Sequence, residues 1–180
     1  MKNKENVLIR YKPTWKVQHI RDGKVIWEQI SSKNILHDEG EQAILSAYFA
    51  TGMSGYGAPP ANLYLGLDAR ASLAEADTLT SLSGEPAVGG YARKALSTAG
   101  TGVSGQDFYI NQPGAYYRAD SKTVTWTASG ANYPAVTKIF LCTVLSGTGG
   151  KIISSLALSA SRTVLDGDSL QASMLIGLSE

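Results

Sequence analysis

A chain of 180 residues has room for one domain with a hydrophobic core and an appendage, but not for two full domains. Only 17% of its residues are charged, against about 25% in ordinary soluble domains, as expected of a protein that hides part of its surface against partners. A net charge of +1 gives no general electrostatic case for nucleic acid or an acidic membrane as partner, and a single cysteine, Cys142, excludes an internal disulfide framework.

The charge is uneven along the chain. Lys2, Lys4, Arg10, Lys12, Lys16, Arg21, Lys24 and Lys33 are half of the 16 basic residues. They suit either a solvated, extended segment or an arm that docks on an acidic protein surface. No long apolar run follows Met1 to Asn6, and no stretch approaches the roughly 20 residues that cross a bilayer. The expectation is a protein made in the cytoplasm and soluble until it assembles.

Residues 14–30 read as a β-hairpin. Trp15 and Val17 alternate with polar neighbours, Asp22-Gly23 accepts the positive φ values of a tight turn, and Val25 and Trp27 resume the alternation. An isolated hairpin is marginal in water, so its tryptophans need a sheet or another chain. A helix follows, with Asp38 as cap, Glu41 completing a capping box, and an apolar stripe of Ile44, Ala47 and Tyr48 flanked by Leu45 and Phe49. Residues 52–60 form a glycine- and proline-rich connection.

Asn62 to Asp68 alternates as a strand with leucine on one face. Residues 69–90 read as a long irregular loop with one helical turn, 91–97 as a strand and 98–107 as a loop. Lys122 to Ala128 alternates threonine with apolar residues. Val136 to Leu145 is apolar on both faces, as a central, doubly covered strand is. Two strands at 151–158 and 161–165, a turn at Asp166-Gly167-Asp168, and a last strand at 169–178 complete the chain. The fold class is therefore mainly β: an antiparallel sandwich, jelly-roll or immunoglobulin-like, with one short helix and an N-terminal hairpin arm. The division is arm and hairpin over 1–35, helix and linker over 36–61, and sandwich body over 62–180.

No set of residues assembles catalytic or cofactor chemistry. His19 and His37 lack partners at metal-ligand spacing and read as structural. Cys142 lies in an apolar run, where a free thiol behaves as a small buried hydrophobe. Asp166-Gly167-Asp168 lacks the further acids of a calcium loop, and the glycine clusters at 100–102 and 147–150 lack a phosphate loop's lysine. Among Glu39, Glu41, Glu75 and Glu85 nothing selects a hydrolytic pair. The residues that stand out are apolar and aromatic. Trp15, Trp27 and Ile30 on the hairpin, and Tyr116, Tyr117 and Arg118 further on, are of the types enriched at protein interfaces. Exposed loop tyrosines would also suit a carbohydrate-binding module.

Three segments together resemble a widespread type of tailed-phage protein. They are Lys33-Asn34-Ile35-Leu36 running into the helix; Leu63-Tyr64-Leu65-Gly66-Leu67 with the later Gly84-Glu85-Pro86 and Gly90-Tyr91-Ala92-Arg93; and the ending from Ile139 through Asp166-Gly167-Asp168 to the last strand. The resemblance covers most of residues 33–180 and leaves the first 32 outside. It implies a non-enzymatic virion component, made in the bacterial host cytoplasm, with no catalytic or cofactor residues to carry over. The first expectation is a capsid decoration (cement) protein that binds the major capsid protein as a dimer or trimer. A tail, baseplate or fibre-attachment component is the alternative.

Overall fold

The alternating segments form two antiparallel sheets in a computed structural model, which describes residues 10–50, 58–114 and 117–179. The first sheet contains β1 (Arg10–Arg21), β2 (Lys24–Ser31), β6 (Phe108–Asn111), β7 (Arg118–Ser121), β8 (Val124–Thr127) and β11 (Ser169–Ser179). Its order is β2-β1-β11-β7-β6, with β8 also paired to β11. The second sheet has the order β3-β10-β9-β4-β5, built from β3 (Asn34–Leu36), β4 (Asn62–Asp68), β5 (Lys94–Ser97), β9 (Tyr133–Cys142) and β10 (Ile152–Val164). The protein is thus a mainly β sandwich with a single helix, α1 (Asp38–Phe49), among the described residues.

The hairpin turns where the sequence places it, with Asp22 at φ 49° and Gly23 at φ 71°. It is no separate arm over the described residues 10–31, however. β1 pairs with β11 from Arg10↔Ser179 to Ile20↔Ser169, so both hairpin strands belong to the first sheet. The inward face of β1 carries Trp15 and Val17, which are fully buried with Leu65, Leu67, Trp126, Ile139, Leu141, Leu156 and Met174 in the main core. Residues 1–9 lie outside the described residues.

β9 is covered on both faces. Ile139 and Leu141 point into the main core. Phe140 and Cys142 point the other way, into a second cluster with Leu73, Leu79, Leu82 and Ile152. The 69–90 segment, irregular apart from a 3-10 turn at Leu79–Ser81, therefore acts as the outer cover of the second sheet. Gly66 on β4 makes room for this arrangement, since a Cβ there would collide with the Phe140 ring.

β10 runs as one strand instead of the two expected. Five steps along it, from Ala157 to Arg162, are matched by two along β9, from Lys138 to Val136. Its extra residues form an outward bulge, which produced the apparent break. β2 reaches this bulge through the Gln29 amide, whose Nε2 donates to the Ala157 carbonyl (3.1 Å) and whose Oε1 accepts from Ser159 N–H (2.7 Å).

The helix forms over the expected residues, but its cap differs. His37 occupies the N-cap with extended backbone, and no side chain caps the helix. Asp38 is already the first helical residue, and Asp38, Glu39 and Glu41 in the first turn suit the positive end of the helix dipole. Leu45 and Phe49 face outward, 58% and 84% exposed. The helix instead meets β10 through small residues, and a Cβ at Gly40 would collide with the Ile153 carbonyl oxygen. Gly40→Ala is therefore expected to push α1 off β10 and cost about 1–3 kcal/mol, against the gain that alanine brings to an exposed helix. Urea unfolding checks this, and a stabilised variant would refute the packing argument.

Candidate functional site

The interface residues read from the sequence separate into three environments. Trp15 is fully buried, so it belongs to the core and is unavailable to a partner. Its alternation identified an inward face, but the second sheet covers that face from within the chain. Trp27 is half-buried and packs against the core, with the Arg162 guanidinium 4.5 Å from its ring centroid. That contact fastens the bulge of β10 over β2. Ile30 is 64% exposed, and it sits opposite Lys16 on the outer face of the first sheet.

The second patch follows the β6–β7 connection. Tyr116 lies outside the described residues, while Tyr117 is 65% exposed. Arg118 is partly buried and committed to neighbours: its Nε donates to Asn111 Oδ1 (3.1 Å) and its Nη2 to Asp120 Oδ2 (3.1 Å), which also accepts from Asn111 Nδ2 (2.9 Å). Tyr109 pairs with Asp120 across the strands and lies on the same outer face, 39% exposed. The structure thus leaves Ile30 and Tyr117, together with Val25, Ile26 and Tyr109, as large apolar or aromatic groups offered to solvent on or beside the first sheet.

The polar clusters weighed for chemistry act as braces. Asp168 accepts from Arg21 at both carboxylate oxygens (2.7–3.0 Å), and His19 Nε2 lies 3.1 Å from its Oδ2. Those contacts lock the β10–β11 turn to β1, and the hydrogen bonds from Arg21 hold the Asp168 carboxyl below its ordinary value. His37 Nδ1 faces the Glu75 carbonyl (3.2 Å) and its Nε2 faces Ser155 Oγ (2.9 Å), tying the irregular cover to β10. Burial lowers the pKa of this imidazole.

Glu85, Tyr91, Arg93 and Cys142 form a third brace. The Arg93 side chain is 3% exposed and pairs with Glu85. It also donates to the carbonyls of Val144 and Gly147 (both 3.0 Å) and lies 5.3 Å from the Phe140 ring centroid. Tyr91 Oη donates to Glu85 (2.8 Å) and accepts from Leu67 N–H (2.9 Å). Burial raises the Cys142 thiol and the Tyr91 phenol, so both stay neutral at physiological pH. A protonated, enclosed thiol is a poor nucleophile. Glu39, another of the acids weighed for hydrolysis, is occupied by Ile152 N–H (3.0 Å), Leu79 N–H (3.4 Å) and Lys151 Nζ (3.3 Å). Sequence reasoning missed these braces because most of their contacts join residues far apart in the chain, as Arg93 joins Val144 and Gly147.

The two titrations have consequences of definite sign. A histidine whose folded pKa lies below 6.5 favours the folded state fully above that value, and its contribution fades as the pH falls through it. A carboxylate depressed below 3.8, as Asp168 is, contributes above that value and loses its contribution at lower pH still. The urea midpoint is therefore expected to fall in two stages on acidification. His37→Gln should flatten the upper stage, between pH 7 and 5, and leave the lower one; an unchanged upper slope would refute the assignment.

Among the described residues no group of three or more His, Cys, Asp or Glu side chains could hold a metal ion, and no helix is long and apolar enough to cross a membrane. No curated protein and no solved structure matches the chain. A family model described as podophage GP4 fiber I protein gp80 matches residues 36–176, from β3 into β11. It covers the second sheet, the helix, the braces of His37 and Arg93, and the first sheet apart from the hairpin strands β1 and β2, so His19 and Arg21 of the Asp168 brace lie outside it. With more than three quarters of its length matched, the chain belongs to this gp80 family of phage virion structural proteins.

Proposed function

We propose that the protein is a non-enzymatic structural component of a podophage tail fibre, built into the virion through contacts with other virion proteins. The match of residues 36–176 to a family named for a fibre protein carries this reading. It gives precedence to what was the alternative in the sequence reading, a fibre component, over a cement protein on the major capsid protein. The sandwich adds a physical reason for the kind of component. Two packed sheets without a coiled-coil repeat or fibrous period suit a globular unit within or at the end of a fibre, rather than a long shaft.

The outer face of the first sheet is the surface best suited to assembly, whether with another fibre protein or with further copies of this chain. Val25, Ile26 and Ile30 lie on edge strand β2 with about half or more of their surface in solvent, and Tyr117 flanks β7. A stable association would cover on the order of 800 Å² on each partner.

Immunogold electron microscopy of purified particles, with antibody raised against the recombinant protein, tests the placement. Label at the tail fibres is the expected result. Label spread over the head would overturn the fibre reading in favour of decoration.

A further inference from the structure

Lys138 is a buried cation on the outer face of the second sheet. It pairs in register with Asp68 on β4 and is 8% exposed. Its Nζ donates to the Ala71 carbonyl (3.1 Å). Among the described residues no carboxylate comes within ion-pair distance of it. Asp68, its register neighbour, is occupied by the backbone N–H groups of Arg70 (2.6 Å) and Gly84 (3.0 Å). An ammonium so enclosed, with one neutral acceptor, favours an anion beside it.

The space for one is present. Lys138 lines a pocket of about 260 Å³ together with Lys33, Ser155, Ile35, Leu73 and Ala157. The polarity of Ser155 narrows the ligand further. His37 Nδ1 faces a carbonyl oxygen and therefore carries the imidazole proton, so Nε2 accepts the Ser155 hydroxyl. Ser155 Oγ is left to accept a hydrogen bond from whatever fills the pocket. Sulfate or an ionised acidic side chain brings only acceptors and would leave that oxygen unmatched, while hydrogen phosphate, whose O–H could meet it, has no C–H surface for the aliphatic wall. A hydroxylated acid offers a carboxylate to the lysines, a hydroxyl to Ser155, and C–H surface to the aliphatic wall. The volume lies below the roughly 300–1,000 Å³ of drug-sized sites and suits a single ring.

We infer that the pocket between Lys33, Lys138 and Ser155 binds a carboxylated sugar residue. The inference is independent of where the protein sits in the virion. Calorimetric titration of the full chain with glucuronate tests it, with glucose, acetate and poly-glutamate as comparison probes. Saturable glucuronate binding is expected, with glucose silent and acetate weaker. Lys138→Met, which keeps the aliphatic stem, should weaken glucuronate about tenfold, and Lys24→Met on the distant hairpin should change nothing. If Lys138→Met fails to fold, Lys33→Met takes its place and should weaken binding with the fold intact. Equal response to glucose and glucuronate, no glucuronate binding at all, or binding indifferent to both pocket lysines would overturn the inference. Saturation by poly-glutamate alone would also overturn it and assign the pocket to an acidic protein segment.

Discussion

Trp15→Ala is expected to destabilise the whole sandwich by about 3–5 kcal/mol, as truncation of a buried tryptophan does, and to do so in a single unfolding transition. The indole is fully buried between the sheets, and its strand is paired with β2 on one side and β11 on the other. Losing it opens a cavity in the main core rather than freeing a surface strand. Urea unfolding followed by far-ultraviolet circular dichroism and, in a Trp27→Phe background, by the fluorescence of Trp126 reads the hairpin and the body separately. Coincident shifts of the two signals support the integrated sheet. A hairpin that becomes protease-sensitive while Trp126 keeps its midpoint would restore the detachable arm. Trp15→Phe separates volume from polarity. The indole N–H has no acceptor among the described residues, so phenylalanine keeps most of the packing without losing a hydrogen bond and should cost much less than alanine.

Arg93→Met is the second substitution with a large expected effect, again about 3–5 kcal/mol, the usual result of removing one partner of an enclosed ion pair. The guanidinium joins Glu85, the carbonyls of Val144 and Gly147, and the face of Phe140. Its loss leaves Glu85 without its cation and unties the 143–150 loop from the second sheet. Adding Glu85→Gln should recover part of the deficit, since the double variant no longer carries the unpaired carboxylate. Strict additivity of the two substitutions would sink this account. Limited proteolysis supplies an independent reading, with earlier cleavage expected between Ser146 and Gly150.

Much of the strand pattern was legible in the sequence because it depends on local chemistry. Asp22-Gly23 specified its turn, and the unbroken apolar run through Ile139 and Cys142 announced a strand covered on both faces. The assignment of Trp15 to a partner failed for a physical reason. Alternation says which face of a strand is apolar, but not whether the covering surface comes from the same chain, and here that surface is the second sheet, whose strands β4, β9 and β10 come only later in the chain. Asp38 looked like a cap by composition. The chain instead placed His37 there, since that imidazole reaches both Glu75 and Ser155 from the N-cap position. The braces of Arg93, Asp168 and Glu39 were illegible because each joins segments that only the folded topology brings together. The pocket around Lys138 was hidden likewise: a lysine in a strand reads as an outward, solvated residue until a loop is laid over it.

The place of β11 in the first sheet bears on how the molecule is made. β1 and β2 emerge from the ribosome early, yet the free edge of β1 acquires its neighbour only when residues 169–179 follow. β7 and β8 wait for the same strand. Folding of that sheet must therefore come after nearly all of residues 10–179 have been synthesised, and pairings of such long separation form slowly, on the millisecond-to-second scale. During that interval Trp15 and Val17 sit on an uncovered hairpin, where a neighbouring nascent copy offers the same β11 surface. Yield on expression should consequently depend on chain concentration and temperature more steeply than the stability of the finished sandwich would imply.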